Sequence, residues 1–306
     1  MSQISVIIPL YNKANEIERT LRSVAGQSVL PLEVIVVDDG STDGSAEVVA
    51  AMDLPFVRLI RQRNGGVSAA RNHAMKLAQG EWVALLDGDD YWQPEYLENV
   101  ERMIEQYPAA GAIGTSFFID DGRQLIAGNT PEKEGVVDFF RESMTRYVLI
   151  PSATVVRRDL ALAMGGFPDG MRMAEDQYLW TKIARTARVV FSPKRLVVYS
   201  RAAENRSASI YRAEQTTHSL EELYDEGADY MSNEYIARVA LGKALVESAR
   251  GGTAVAQRAL EYFSYNTLSA HLARKVRVLN ALPAKIRPAA LAVYNWLAWV
   301  IARKGL

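Results

Sequence analysis

The feature that most constrains this chain is the alternation in its first 120 residues. Short β-branched apolar runs at 4–8, 33–37, 56–60 and 82–86 each end in turn-forming residues, with stretches of helical period between them. Ile17, Leu21 and Val24 share one helical face, and Ala69 to Ala78 form a second such segment. Compact apolar runs are the mark of strands covered on both faces. Strand and helix in alternation predict a mostly parallel sheet with helices on both sides. Ligands in such sheets sit beyond the carboxyl ends of the strands, so the chemistry is sought in the loops after Ile8, Val37, Ile60 and Leu86.

Residues 111–200 read as a mixture, with short strands at 153–156, 189–191 and 197–199 around helices near Asp159 and Glu175. After about residue 205 strand signals fade and long helical stretches take over. The expected division is an α/β domain over 1–205, in halves 1–110 and 111–205, followed by a helical region over 206–306. At 49% apolar and 23% charged, the 306 residues have globular composition, which excludes a disordered chain. There is no cysteine, so disulfides, zinc-thiolate sites and thiol nucleophiles are excluded and a reducing, cytoplasmic setting is expected. Any metal must be held by oxygen or by His73, His218 or His271. His73 is read as a packed or surface residue on the helix after the third loop. The N-terminal residues lack a basic segment and reach Pro9 early, unlike a secretory signal, and no window has the apolar length of a spanning helix.

The loops carry acids. The second strand runs into Asp38-Asp39-Gly40-Ser41-Thr42-Asp43-Gly44-Ser45, and the fourth into Asp87-Gly88-Asp89-Asp90. Acids at neighbouring strand ends repel one another unless a cation sits among them, and oxygen clusters of this kind suit Mg²⁺ or Mn²⁺ with phosphate oxygens. The plainer reading, turn and N-cap aspartates, fits Asp43. No Gly-x-Gly-x-x-Gly follows the first strand and no Walker-type Gly-Lys-Ser/Thr occurs, which disfavours an ordinary dinucleotide fold or a P-loop ATPase.

These residues resemble glycosyltransferase family 2, inverting enzymes of the GT-A fold. The resemblance rests on Val6-Ile7-Ile8-Pro9-Leu10-Tyr11-Asn12, Val36-Val37-Asp38-Asp39-Gly40-Ser41-Thr42-Asp43, Asn64-Gly65-Gly66-Val67-Ser68-Ala69-Ala70-Arg71-Asn72 and Leu86-Asp87-Gly88-Asp89-Asp90. Gly165-Gly166-Phe167, Glu175-Asp176 and Leu179-Trp180 are similar to its acceptor-side signature. The ordered set covers roughly residues 4–201, and its specificity lies in the order.

The resemblance implies a nucleotide-sugar donor, with a UDP-sugar expected, in the half over 1–110, and an acceptor in the half over 111–205. Pro9, Tyr11, Asn12, Asp39, Asn64, Gly66, Arg71, Asp87, Asp89 and Arg201 are implied donor residues. Tyr11 would pack on the base, Asp39 would accept a hydrogen bond from it, and Asp89 would hold the ribose. Asp89 and Asp90, with Asp87 nearby, would bind the Mn²⁺ or Mg²⁺ that bridges the diphosphate. Arg71 has two readings, contact with the donor or pairing with the acids. Asp176 matches the general base that takes the acceptor's proton, while Glu175 should point elsewhere on the helix. Many relatives carry a histidine after the last core strand; here the segment is Tyr199-Ser200-Arg201-Ala202-Ala203-Glu204, so Arg201 would neutralise phosphate instead. The chain lacks the Gln-x-x-Arg-Trp element of processive synthases, which favours single-sugar addition to a glycan or lipid-linked glycan. The rivals are a nucleotidyltransferase, which would need a glycine-rich lysine loop near the N-terminus, and a non-catalytic nucleotide-sugar sensor or scaffold.

The formal net charge of -1 hides an asymmetry. Glu261 is the last acid; residues 262–306 carry +7 and the preceding 261 residues -8. Residues 289–302 are uncharged and mostly apolar, with Trp296 and Trp299, and are bracketed by Lys285, Arg287, Arg303 and Lys304. At about 1.5 Å per residue this stretch is too short to cross a bilayer core of about 30 Å. Peripheral contact of 285–304 with the cytoplasmic face of a membrane is expected, with a self-association helix, and so a homo-oligomer, as the alternative; no nucleic-acid partner is expected.

Overall fold

The computed structural model describes residues 3–171, 173–201, 216–263 and 265–293. The chain divides into two compact units, Met1–His218 and Ser219–Leu306. The sequence boundary near 205 falls among residues 202–215, outside the described residues.

The first unit opens with β1 (Ile4–Leu10), α1 (Ile17–Ala25), β2 (Glu33–Asp38), α2 (Ser45–Ala51), β3 (Val57–Arg61), α3 (Val67–Leu77) and β4 (Trp82–Leu85). It continues through β5 (Tyr91–Trp92), α4 (Tyr96–Gln106), β6 (Ala110–Asp120), β7 (Leu125–Ala127), β8 (Gly135–Val137) and α5 (Phe139–Ser143). A 3-10 turn at Pro151–Ala153 leads into β9 (Thr154–Arg157), α6 (Arg158–Ala163), α7 (Glu175–Thr186) and β10 (Arg188–Ser200). The ten strands form one mostly parallel sheet in the order β3-β2-β1-β4-β9-β6-β10-β5, with β7 on β6 and β8 on β10. β1 pairs in parallel with both β2 and β4. β9 lies antiparallel between β4 and β6, and β6 and β10 again run parallel. The expected strands 189–191 and 197–199 are two ends of β10, which runs through Pro193 with register shifts.

Burial explains the elements. The β1 residues Val6, Ile7 and Ile8 are wholly buried, and α1 turns Ile17, Leu21 and Val24 into the same core as Trp82, Tyr96 and Phe117. At about 25 cal/mol per Å², burying each such side chain stabilises the fold by about 1.5–3 kcal/mol. Because β1 has β2 on one side and β4 on the other, the chain order reverses at β1. That reversal opens a crevice where the loops after β1, β2 and β4 meet.

The second unit holds α8 (Tyr230–Ala249), α9 (Thr253–Phe263) and α10 (Ala270–Ala281), packed through Ala237, Leu241, Leu260, Phe263 and Val276. Its buried acid Glu234 accepts the N–H groups of Thr267 (2.8 Å) and Leu268 (3.1 Å), just ahead of α10. Of the apolar tail stretch, 289–293 belong to a helix that begins at 287; 294–302, with both tryptophans, lie outside the described residues. Among the described residues no helix is long and apolar enough to cross a membrane.

Candidate active site

The first two loops are laced together. The Asp39 N–H donates to the Leu10 carbonyl at 2.8 Å. Asn12 adopts φ 52°, a left-handed conformation that asparagine tolerates better than most. Its Oδ1 accepts the Thr42 N–H (2.8 Å) and its N–H donates to Ser41 Oγ (3.0 Å). Lys13 and Ala14 donate their N–H groups to Ser45 Oγ (2.7 Å) and Asp43 Oδ2 (3.0 Å). Against the opposing effect of burial, the bonds from Ser45 and Ala14 hold the Asp43 carboxyl below the usual range. Pro9 lies opposite Val37, beyond the last β1–β4 pair, Ile7–Leu85, so its missing N–H interrupts no ladder there. Tyr11 is 38% exposed at the mouth of this loop.

Asp39 builds the third loop. Its Oδ1 accepts Gln62 Nε2 (2.7 Å) and the Gly65 N–H (2.8 Å), its Oδ2 accepts the Gly66 N–H (2.8 Å), and Asn64 Nδ2 donates to its carbonyl (2.9 Å). His73 Nδ1 sits 2.7 Å from Gln62 Oε1, a packing and orienting contact.

The loop over 87–90 sends each acid to a different partner. Asp87 Oδ1 lies 2.7 Å from Arg71 Nη2, and Asp89 Oδ2 lies 2.8 Å from Lys13 Nζ. Asp90 is fully buried: Oδ2 accepts Ser152 Oγ (2.5 Å) and Oδ1 accepts the Ser200 N–H (2.8 Å). Burial, with Asp89 and Asp87 beside it, pushes the Asp90 carboxyl well above the usual range, against those two hydrogen bonds. Helix α1 grips the same loop, with Thr20 Oγ1 donating to the Gly88 and Asp90 carbonyls and Arg19 Nη2 to the Asp89 carbonyl (2.8 Å).

Arg71, on α3, is the hub between the two halves. Its guanidinium, 3% exposed, reaches Asp87 and also Glu175 (3.1 Å), and lies 5.1 Å from the centre of the Phe167 ring. Despite burial, Asp87 and Glu175 hold it above its usual pKa. Next to it, Asn72 Nδ2 donates to the Phe167 carbonyl and its Oδ1 accepts the Phe167 N–H, both at 2.8 Å. Gly166 has φ +70°, and a Cβ there would be driven into the Asn72 side chain, so the Gly165-Gly166-Phe167 turn fits only without one.

Asp176 sits in the first turn of α7, behind Ala174 at φ 69°. Burial first, and then the neighbouring Glu175, push its carboxyl up to about 7, against the opposing Arg71 guanidinium. Burial also raises Glu175, against the same guanidinium. Of the two readings of Arg71, the geometry contains the pairing with acids.

The structure thus brings Pro9, Tyr11, Asn12, Asp39, Asn64 and Gly66 to the linked loops, Asp87, Arg71 and Asp176 to one charged network, and Asp89 to a separate pair with Lys13. Arg201 donates its N–H to the Asp120 carbonyl (2.8 Å) at the end of β10, next to Ser200. Asp90, expected beside Asp89 as an ion ligand, has its carboxylate enclosed by Ser152 and Ser200. Sequence reasoning missed Lys13, Ser152 and Gln62 as partners of these acids. Among the described residues no three His, Asp or Glu side chains converge as a metal cage. Asp89 and Asp87, 15% and 28% exposed, remain as oxygen donors. A set of one or two carboxylates, the rest supplied by phosphate and water, fits Mg²⁺ or Mn²⁺.

Residues 5–163, just over half of the chain, match Glycosyl transferase family 2. The chain is 29% identical over 212 residues to the chondroitin synthase of Pasteurella multocida (strain Pm70), covering 68% of this chain and 21% of that protein. It is 43% identical over 127 residues to the succinoglycan biosynthesis protein ExoO of Rhizobium meliloti, covering 40% of this chain and 36% of that one. The chain therefore spans about a fifth to a third of the length of these two relatives. Among solved structures, Staphylococcus aureus TarS 1–349 in complex with UDP-GlcNAc matches with a TM-score of 0.69 at 22% identity, over 92% of this chain and 88% of that one. The mannosyltransferase PcManGT from Pyrobaculum calidifontis, in complex with GDP-Man and Mn²⁺, matches with a TM-score of 0.54 at 22% identity, over 97% and 80%. At that identity the likeness is one of fold. With the family matched over half the chain and the sheet built as in these GT-A neighbours, this chain belongs to glycosyl transferase family 2.

Proposed function

We propose that the protein is an inverting glycosyltransferase that moves one sugar from a nucleotide-sugar, with UDP as the expected nucleotide, to a hydroxyl of a glycan or lipid-linked glycan. The observation that carries this reading is the Arg71 bridge, which joins a donor-loop acid, Asp87, to the Glu175-Asp176 pair on the acceptor-side helix. Tyr11 and the loop built by Asp39 would receive the base. Asp89, with Asp87 beside it, would hold a divalent ion, and Asp90 would support the loop from behind. When bound, the ion supplies positive charge against the leaving diphosphate.

Inversion calls for one base, on the side of the sugar opposite the leaving group. Asp176 would accept the acceptor hydroxyl's proton as its oxygen attacks the anomeric carbon, and the bond to the diphosphate breaks with its electron pair on the phosphate oxygen. A carboxylate with a pKa of about 7 is matched to that task near neutral pH. The UDP-GlcNAc bound to TarS and the GDP-Man and Mn²⁺ bound to PcManGT support a nucleotide-sugar donor and a divalent ion. Contact of 285–304 with a membrane surface at the cytoplasmic face, which would suit a lipid-linked acceptor, rests on the basic tail.

The test is a nucleotide-sugar panel scored for donor hydrolysis with and without Mn²⁺, in wild type and in Asp176→Asn. Wild type should hydrolyse one donor in a metal-dependent way, and the variant's kcat for transfer should fall by roughly 10²–10⁴ with donor affinity nearly unchanged. Binding without turnover in wild type would instead make the protein a nucleotide-sugar sensor.

A further inference from the structure

We propose that Gln62, held in place by His73, selects the base of the donor. It caps one oxygen of Asp39, so that this carboxylate takes a base offering one N–H, as uracil does, and rejects one offering two side by side, as guanine does. This deepens the donor reading above and rests on it. Gln62 lies just before, and His73 just after, the 64–72 segment of the family resemblance, so the motifs gave neither a role in base choice.

A carboxylate offers roughly four lone-pair positions, two on each oxygen. Among the described residues three donors fill those of Asp39: Oδ1 accepts both Gln62 Nε2 (2.7 Å) and the Gly65 N–H (2.8 Å), and Oδ2 accepts the Gly66 N–H (2.8 Å). One position is left, on Oδ2. The buried residue is also held by its backbone, whose N–H donates to the Leu10 carbonyl (2.8 Å) and whose carbonyl accepts Asn64 Nδ2 (2.9 Å). Gln62 is the one side chain in the carboxylate's cap, and its own N–H, bound to the Asp38 carbonyl at 2.9 Å, keeps it in reach. With Nε2 toward Asp39, its Oε1 faces His73 Nδ1 at 2.7 Å, a hydrogen bond in which Nδ1 carries the hydrogen. Turned over, the amide would set Oε1 against the carboxylate and Nε2 against that hydrogen. His73 thus fixes which end of Gln62 meets Asp39.

The bases differ in what they ask of such a carboxylate. Uracil presents one ring N–H between two carbonyls, which the remaining position on Oδ2 can accept. Guanine presents a ring N–H and an amino group side by side, a pair that a carboxylate matches by using both oxygens. Here guanine would find Oδ1 already filled by Gln62 and Gly65, and one of its N–H groups would be left without an acceptor. A polar group stranded in a desolvated site costs about tenfold or more in affinity.

The ratio of affinities is the quantity to measure. Isothermal titration calorimetry on the full chain with Mn²⁺ would compare UDP, GDP and inosine diphosphate, whose base has the ring size of guanine without the amino group. Wild type should bind UDP at least about tenfold tighter than GDP, with inosine diphosphate closer to UDP. Gln62→Met removes the amide at similar length and opens a position on Oδ1, so the preference for UDP over GDP should narrow by about fivefold or more. His73→Leu, which lets the amide turn, should narrow it by about threefold. Should Gln62→Met melt below wild type, Gln62→Ala opens the same position. Equal losses for UDP and GDP in the Gln62 variants, or none, would make Gln62 structural only and overturn the proposal. So would a wild type that binds inosine diphosphate as weakly as GDP, which makes ring size the cause, or one that prefers GDP. Each of these results leaves the nucleotide-sugar reading standing. Wild type binding none of the three diphosphates would overturn both.

Discussion

Asp90 separates two readings of the 87–90 loop, as an ion-binding cluster or as a structural joint. In Asp90→Ala, Ser152 Oγ and the Ser200 N–H, now at 2.5 and 2.8 Å from a carboxylate, lose their acceptor in a place with no solvent. Each buried orphan costs about 1–3 kcal/mol, and the two together about 2–6. Part of that is offset because burial and the neighbouring acids already make the carboxylate unfavourable, so a net loss of about 2–4 kcal/mol is expected. Asp90→Asn should cost less than about 1 kcal/mol, since its amide oxygen can accept from Ser200 while its NH₂ donates to Ser152 Oγ. Urea unfolding at pH 7 measures both, read as a shift of midpoint at unchanged slope. The Mn²⁺ dependence of UDP binding is followed in the same variants, and Asp90→Asn should retain it. An Asp90→Ala protein as stable as wild type but without a metal response would refute the reasoning and make Asp90 a ligand.

The ionised form of Asp176 is the one that can act as base, so kcat/KM should fall as pH drops through about 7. Glu175→Gln removes the adjacent like charge that raises Asp176, and the acidic limb of the profile should move to lower pH; an unmoved or raised limb would deny Glu175 that role. Gly166→Ala forces a left-handed alanine against Asn72, and thermal unfolding should show a loss of about 2 kcal/mol or more. An unchanged melting temperature there would mean the turn relaxes freely.

How much of this was legible in the sequence depended on locality. The strands β1 to β4 were readable because each is a compact buried apolar run, and α1 because Ile17, Leu21 and Val24 mark one face. The central strand β6 was not. Its Gly111 and Gly114 look unlike a strand, yet a Cβ at Gly111 would come within 2.5 Å of Ala187 and one at Gly114 would strike the Val148 carbonyl. Close packing there demands residues that strand propensity disfavours. In the site, local motifs marked Asp39, Asp87, Asp89 and Asp176 as special but not their partners. Ser152 and Ser200 are 62 and 110 residues from Asp90, and a lone serine carries no sign of such a bond. Lys13 was likewise silent, because the pairing with Asp89 exists only once β1 and β4 lie side by side.

The same folding step gives two adjacent carboxylates different characters. In sequence Glu175 and Asp176 are neighbouring acids at a helix start, where a capping pair would carry the same two residues as a base at Asp176 with Glu175 pointing elsewhere. In the fold Arg71, already held by Asp87, takes Glu175 at 3.1 Å. Asp176 has no ion pair among the described residues, and its Oδ1 accepts the Gln177 N–H at 2.9 Å. Burial raises both acids; Glu175 has the Arg71 guanidinium as its opposing charge and hydrogen-bond partner, while Asp176, beside a like charge, rises to about 7. Environments that push two titratable groups apart are how one site divides structural from proton-transfer work. Here the division depends on a single guanidinium whose other arm lies on the donor loop. The acid paired with Arg71 and the acid proposed to take the proton are thus told apart by the residue that also touches the donor side.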